Sequence, residues 1–320
     1  MEKSAVKLRT IFLGTSEFAA ELLESLVTNG YNIVSAYTQP DRKAGRDQDL
    51  KTSAVKNFCE KNKIKIYQPE KLDAAAKKEI EDQKPDLIIL AAYGKIIPKS
   101  ILDMPGFGSL NIHTSLLPKY RGPSPIQNAI LNGETETGVT IILMDEKIDT
   151  GKILSQKTVA IEKDENAVEL SKKMALAASE LLAETLPLWA ERKITPREQD
   201  DAKATICQLI EKSDGKLVWS DDAESIYNRY RAFTPWPGIF GFWEKDDSLK
   251  RIKLNKISLL KTSPKTKYHA GEIFQLGEDI GVQTGKGVVL LNEVQLEGKA
   301  SVKIGEFING YPDFVGSVLK

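Results

Sequence analysis

The chain is poor in cysteine and histidine. Two of each occur among 320 residues: Cys59, Cys207, His113 and His269. No CxxC pair and no Cys/His cluster exists, which argues against a structural zinc site. Two distant thiols do not make a disulfide framework, and that fits a reducing compartment. No apolar run approaches the roughly 18 residues that a membrane-spanning helix needs. The charged start, Met1 to Arg9, lacks the apolar stretch and small-residue cleavage site of a signal peptide. The expectation is a cytoplasmic protein without a membrane partner. Net charge is also absent, since 45 basic residues balance 45 acidic ones. A neutral total neither assigns nor excludes nucleic acid, because recognition depends on where charge lies. The first glycine turn, Gly14-Thr15-Ser16-Glu17, is not GxGxxG, so it does not resemble a dinucleotide site.

What is present is a core. Apolar residues make up 41% of the chain and charged residues 28%, enough for one large domain or two ordinary ones. Thr10 to Leu13 reads as a buried strand ending at Gly14. Ser16 can cap a helix with the stripe Phe18, Leu22, Leu23 and Leu26. Asn32 to Tyr37, Leu87 to Ala91, Ser109 to His113 and Gly138 to Met144 read as further strands. The Leu87 run is continuously apolar, as strands covered on both faces are. Strands separated by helices predict an α/β fold with a largely parallel sheet. A helix is expected from Asp164 to about Arg192, with Ala167, Leu170, Met174, Leu181 and Leu182 on its apolar face. Ile194 to Thr205 is polar and reads as linker. After Gln208, a helix over Ala223 to Phe233 precedes Pro235-Trp236-Pro237-Gly238. Short strands with glycine turns then predict a small β-barrel or sandwich. The expected organisation is a catalytic domain over 1–190, a linker over 191–208 and a second domain over 209–320.

The informative chemistry lies in SLNIHTSLLPKYR, Ser109 to Arg121, and VTIILMDEKIDTG, Val139 to Gly151. Residues two apart on a strand share a face. Asn111 and His113 therefore emerge together at a strand's carboxyl end, where open α/β sheets bind ligands. A lone histidine there is more often a hydrogen-bonded structural residue. The loop with Asp145, Glu146 and Asp149 reads as a solvated turn unless one carboxylate folds back to His113, orienting the ring and stabilising its charged form. Such a set suits acyl transfer to an amine. The tetrahedral centre needs donors for its oxygen, which an amide and a protonated imidazole supply. A histidine also suits proton traffic near neutrality. No nucleophilic side chain is required, because the amine attacks directly.

Asn111-x-His113, then Ser115-Leu116-Leu117-Pro118-x-Tyr120-Arg121-Gly122, then Asp145-x-x-x-Asp149-Thr150-Gly151 resembles the folate-dependent formyltransferases. The ordered combination is specific where each element alone is weak. The resemblance implies a Rossmann-like sheet with a C-terminal OB-type barrel, and 10-formyltetrahydrofolate as formyl donor without a metal. It also implies that Asn111, His113 and Asp149 form a catalytic trio. Ala91, Ala92, Tyr93, Gly94, Ser115, Leu116, Leu117 and Pro118 would then contact the folate. Phe12-Leu13-Gly14-Thr15-x-Glu17-Phe18, the segment Thr38 to Arg46 and the segment Arg231 to Gly238 are similar to the branch that formylates methionyl initiator tRNA, and the likeness covers nearly the whole chain. It implies that Arg42, Lys43 and Arg46 bind tRNA, that 209–320 is an OB-like tRNA-binding domain, and that the protein is a monomer.

The tRNA loop departs from that pattern. It continues as Asp47-Gln48-Asp49-Leu50-Lys51, and two acids weaken its positive field. A surface loop that binds nothing is the bland alternative. Between Ser248 and Lys267, Lys250, Arg251, Lys253, Lys256, Lys261, Lys265 and Lys267 occur with no acid. Lysines of this kind also protect strand edges, but on a barrel they form a phosphate track. Trp236 and Trp243 are expected to pack in a core rather than stack on bases, and His269 receives no function. Two alternatives stand beside tRNA formylation. One is formylation of an amino sugar nucleotide, which the inserted loop disfavours. The other is a non-catalytic RNA-binding protein, which the intact trio disfavours.

Overall fold

Residues 7–44, 49–260 and 268–320 are described in a computed structural model of the chain. Gly45, Arg46, Asp47 and Gln48 of the expected tRNA loop, and Lys261, Lys265 and Lys267 of the basic stripe, lie outside the described residues. Two compact units are present. One comprises 1–125, 136–160 and 170–208, and the other 126–135, 161–169 and 209–320.

In the first unit the strands are β1 (Thr10–Gly14), β2 (Ile33–Tyr37), β3 (Arg42–Ala44), β4 (Asp49–Lys51), β5 (Ile66–Tyr67), β6 (Leu87–Ala91), β7 (Ser109–His113), β8 (Glu136–Leu143) and β9 (Lys152–Ala160). Seven of them form one sheet in the order β5-β2-β1-β6-β7-β8-β9. Pairing is parallel from β5 to β7 and antiparallel from β7 to β9. The sheet is thus mostly parallel and Rossmann-like, with two antiparallel strands that the sequence reading did not separate. β9 was not foreseen at all. Its adjacent buried residues Ile153 and Leu154 break the alternation that marks a half-buried strand, and the β8–β9 register shifts between Ile141 and Ile142.

The sheet's central strands are buried on both faces. Ile11, Leu13, Ile88 and Leu90 pack with Tyr37, Ile80, Tyr93, Ile97, Ile101 and Leu102 in one cluster. Phe12 and Ile89 alternate to the opposite face and are fully buried. Helix Glu17–Thr28 contacts β1 and β6, and the Ser16 hydroxyl caps it by accepting from Ala19 N. In β7, Asn111 pairs with Leu90 on one side and Ile142 on the other, and His113 pairs with Thr140. Asn111 is therefore held at the sheet's carboxyl edge by strands on two sides, and His113 by β8 on one side.

The stretch 191–208, expected as a linker, is hydrogen-bonded along its length to the first unit. Arg197 exchanges two backbone bonds with Ile153 (2.7 and 2.9 Å), Arg121 N donates to Thr205 O (2.8 Å), and Cys207 N donates to Arg121 O (2.8 Å). Its polar composition hid this, because backbone pairing needs no apolar side chain.

In the second unit, β10 (Ile239–Lys245), β11 (Ser248–Leu259), β12 (Ile273–Leu276), β13 (Asp279–Gln283), β14 (Val288–Leu296) and β15 (Val302–Lys303) form an antiparallel sheet. Its order is β10-β11-β14-β13-β12, with β15 on β14. The final residues join its two edges: Leu319 bridges Trp243 of β10 while Val318 bridges Glu272 beside β12. That is the curled, barrel-like form expected. Trp243 is buried against Phe307, Tyr311 and Phe314, with centroids 6.1, 5.7 and 5.1 Å away. Trp236, by contrast, is 52% exposed, which corrects its assignment to a core. It sits at the tip of a turn closed by Gly238 N donating to Phe233 O. β11, which carries Lys250, Arg251, Lys253 and Lys256, lies inside the sheet between β10 and β14. Edge protection therefore does not explain those charges.

Removing a side chain from the sheet's far face separates stability from the site. Ile89→Ala is expected to cost about 2–5 kcal/mol, read by guanidinium unfolding, while the folded protein keeps the β7 edge intact. A loss below about 0.5 kcal/mol would mean that this face is not close-packed.

Candidate active site

At the carboxyl edge of β6 and β7 lies a cleft of about 400 Å³. Leu90, Ile97, Leu102 and Met144 give it apolar walls, Ala92 and Gly94 contribute backbone, and Asn111, His113 and Asp149 stand in it together. Ala92 and Gly94 both take left-handed backbone (φ +43° and +80°), which turns the chain sharply after β6. At φ +80° Gly94 occupies backbone space that residues with a Cβ rarely adopt.

Asp149 organises the polar end. Its Oδ1 accepts from Asn111 Nδ2 at 3.1 Å and its Oδ2 from Gly122 N at 2.8 Å. The same Oδ2 lies 3.5 Å from His113 Nδ1, close enough for electrostatic interaction but long for a hydrogen bond. The other ring nitrogen, His113 Nε2, is 2.8 Å from Tyr120 O. A carbonyl can only accept, so Nε2 carries the hydrogen of that contact. Asn111 and His113 are both buried, and Asp149 keeps only 11% of its side-chain surface exposed. Of the three acids in the loop, Asp149 is the one that folds back. Asp145 instead closes its own loop, accepting from Lys147 N (3.1 Å) and Thr150 Oγ1 (2.7 Å).

The other sequence-derived positions divide. Ala92 and Gly94 line the cleft, whereas Ala91 and Tyr93 are fully buried behind it. Burial pushes the Tyr93 phenol up to about 12. Ser115, Leu116, Leu117 and Pro118 do not line this cleft. Thr140 and Gln156 hold that turn against the sheet: Thr140 Oγ1 donates to Ser115 O and accepts from Leu117 N, while Gln156 Nε2 donates to Leu117 O. Leu117 is buried with Ile142 and Ile153. A hydroxyl and an amide arriving from neighbouring strands are not visible in the turn's own sequence.

Arg42 is exposed at the start of the β3–β4 hairpin. Its Nη2 donates to Gln39 Oε1 (2.6 Å), and Gln39 Nε2 donates to Tyr93 O (2.9 Å). The loop thus adjoins the backbone beside Gly94. The acid at its base, Asp41, is held below the usual carboxylate range by hydrogen bonds from Lys56 and Gln68. Lys43 pairs through its backbone with Leu50. Among the described residues no group of three or more His, Cys, Asp or Glu could hold a metal, and no helix is long and apolar enough to cross a membrane.

Sequence reasoning missed Gly122, whose amide supports Asp149, and Gln199, whose Nε2 donates to Asp149 O and Gly151 O at 2.8 Å each. Gly122 was legible only as part of a motif, and Gln199 gave no local signal.

Residues 8–186 match the family described as Formyl transferase, and residues 209–312 match Formyl transferase, C-terminal domain. The chain is 40% identical over 314 residues to a methionyl-tRNA formyltransferase of Citrifermentans bemidjiense, covering 98% of this chain and 96% of the relative. It is 43% identical over 304 residues to a methionyl-tRNA formyltransferase of Campylobacter curvus, covering 94% and 96%. Among solved structures it shares its fold with HypX from Aquifex aeolicus in complex with tetrahydrofolic acid. The TM-score is 0.65 at 17% identity, over 97% of this chain and 48% of HypX.

Gly122 has φ +115°, and a Cβ there would lie 2.4 Å from Cys207 O. Gly122→Ala is therefore expected to destabilise the protein by about 1–3 kcal/mol or more, read as a lowered thermal midpoint. An unchanged midpoint would mean that the turn relaxes freely and that its amide is not a fixed partner of Asp149.

Proposed function

The chain belongs to the formyltransferase family, among the methionyl-tRNA formyltransferases, and on that premise we propose how its own residues carry the reaction and hold the acceptor. The reaction is transfer of the formyl group of 10-formyltetrahydrofolate to the amino group of methionyl-tRNA. The observation that carries the residue assignment is the Asp149 carboxylate, which joins Asn111 and faces His113 at the end of an apolar cleft.

The cleft suits the donor. Its volume falls within the roughly 300–1,000 Å³ of small-molecule sites. Leu90, Ile97, Leu102 and Met144 offer apolar surface to a flat heterocycle, while Ala92 and Gly94 offer backbone groups. These residues are the proposed folate contacts, in place of the Ser115 to Pro118 turn, which does not line the cleft. The donor supplies a formyl group carried on nitrogen. Asn111 gives one amide hydrogen to Asp149, which fixes its orientation, and its second hydrogen is the donor for the formyl oxygen as that oxygen gains charge. His113 takes the proton of the attacking amine and returns it to the departing nitrogen. Asp149 offsets the positive charge that the ring carries in between. No covalent link to the protein is required.

For the acceptor, Arg42 is the proposed RNA contact on the hairpin, with Lys43 and Arg46 beside it in sequence. Arginine's planar fork pairs phosphate oxygens or stacks on bases. The exposed residues Lys250, Arg251 and Lys256 on β11 supply non-specific attraction to the tRNA backbone. The initiator tRNA is the proposed species, and a cytoplasmic monomer the proposed form. The segments 1–190 and 209–320 are proposed as the catalytic and tRNA-binding portions of the chain, with 191–208 between them in sequence.

His113→Ala and Asp149→Ala are each expected to lower turnover by at least about a hundredfold with circular dichroism unchanged. Near-wild-type turnover by a folded His113→Ala protein would remove the mechanism. For the acceptor, Arg42→Ala should impair formylation of charged initiator tRNA and leave folate affinity, measured by calorimetry, unchanged. Neutralising Lys250, Arg251 and Lys256 together should weaken binding to all tRNAs and flatten its salt dependence. Normal tRNA formylation by Arg42→Ala would overturn the loop assignment. Formyl transfer to an amino sugar nucleotide but not to the tRNA would replace the proposed acceptor.

A further inference from the structure

We propose that Gln199, within the polar stretch 191–208, is a positioning residue for formyl transfer that sets the placement of Asp149 relative to His113. The proposal rests on the assignment of Asp149 to the active trio. Four contacts define it. Gln199 Nε2 donates to the carbonyls of Asp149 and Gly151, both at 2.8 Å. Gln199 Oε1 accepts from Arg121 Nε at 3.1 Å and Arg121 Nη2 at 2.8 Å. An amide side chain has two donor hydrogens and two acceptor lone pairs, and every one is used. The orientation of the amide is also determined. Turning it over would set Oε1 against two carbonyl oxygens and Nε2 against a guanidinium, each pairing like with like.

The residues it joins are those that carry the trio. Tyr120 O receives His113 Nε2, and Gly122 N donates to Asp149 Oδ2. Arg121 lies between them in sequence, and its buried guanidinium is tied by Gln199 to the Asp149–Gly151 turn. The segment 120–122 and the turn 149–151 are thereby held together by the Gly122 N–H on the Asp149 carboxylate and by one side-chain clamp behind it. The turn needs such a clamp. Asp149 sits at φ +54°, a conformation that non-glycine residues rarely hold, and Gly151 packs so closely that a Cβ would lie 2.1 Å from Leu143 O. Catalytic geometry tolerates little drift, since displacements near 1 Å cost about a hundredfold. Side chains that lock reacting groups in place are part of the site even when they touch no substrate.

The test uses the full-length protein with 10-formyltetrahydrofolate and charged initiator tRNA in single-turnover and steady-state assays. Gln199→Met keeps the shape and loses all four contacts. Gln199→Glu keeps the acceptor toward Arg121 and loses the donors, so it probes the turn even if the first variant folds poorly. Each is expected to lower the single-turnover rate by about ten- to a hundredfold with KM for both substrates within about threefold, and to speed amide hydrogen exchange across Asp145 to Lys152 in the folded protein. Asp201→Ala, which removes the exposed partner of Arg121, should leave the rate unchanged. Combined with Asp149→Ala, Gln199→Met should add no further loss. Faster exchange with an unchanged rate, or an equal further loss in the Asp149→Ala background, would overturn the positioning role. If Asp149→Ala alone retains wild-type rate, the trio assignment fails instead, and the Gln199 proposal fails with it.

Discussion

A carboxylate with most of its surface withdrawn from water must recover hydrogen bonds or lose its charge. Asp149 recovers them from the Asn111 amide and the Gly122 backbone, and that pairing organises the site. It joins the edge of β7, the Tyr120–Gly122 turn and the loop after β8, three segments that share no neighbouring sequence. It also commits one hydrogen of Asn111, so the amide's free donor points in a defined direction. His113 meets the same carboxylate from the other side, while Tyr120 O fixes its second nitrogen. Removing the carboxylate would leave a buried amide hydrogen and a half-buried backbone N–H without their partner.

The fold makes this pairing affordable. β7 sits between β6 and β8, so Asn111 is held from both sides and His113 from β8. The apolar cluster beneath, with Leu90 and Ile97, forms part of both the core and the cleft. A donor ring would thus rest on surface that the fold already holds rigid. The β3–β4 hairpin, proposed as the tRNA contact, adjoins the same region through the chain of hydrogen bonds Arg42–Gln39–Tyr93. Acceptor and donor functions are therefore assigned to segments that meet beside Gly94.

Much of this was legible in the sequence, for identifiable reasons. The parallel core announced itself in Leu87 to Ala91, because a strand covered on both faces is apolar throughout. Asn111 and His113 could be paired because a period of two follows from strand geometry. The choice of Asp149 over Asp145 and Glu146 came only by resemblance, since the left-handed φ and the Gly122 amide that select it are tertiary facts. The Ser115 to Pro118 turn was assigned to folate by resemblance alone, and nothing in its letters reveals Thr140 and Gln156 drawing it toward the sheet. The stretch around Gln199 read as linker because backbone pairing and one amide clamp leave no hydrophobic pattern.

The central claim is that Asp149 and His113 act as one unit. A double-mutant cycle tests this directly: single-turnover formyl transfer to charged initiator tRNA is measured for the parent, His113→Ala, Asp149→Ala and the double variant. Groups that act as a unit are strongly non-additive. The account predicts that the double variant loses no more than about threefold beyond the worse single variant. Losses that multiply across the cycle would mean that the two residues contribute independently, and would contradict it.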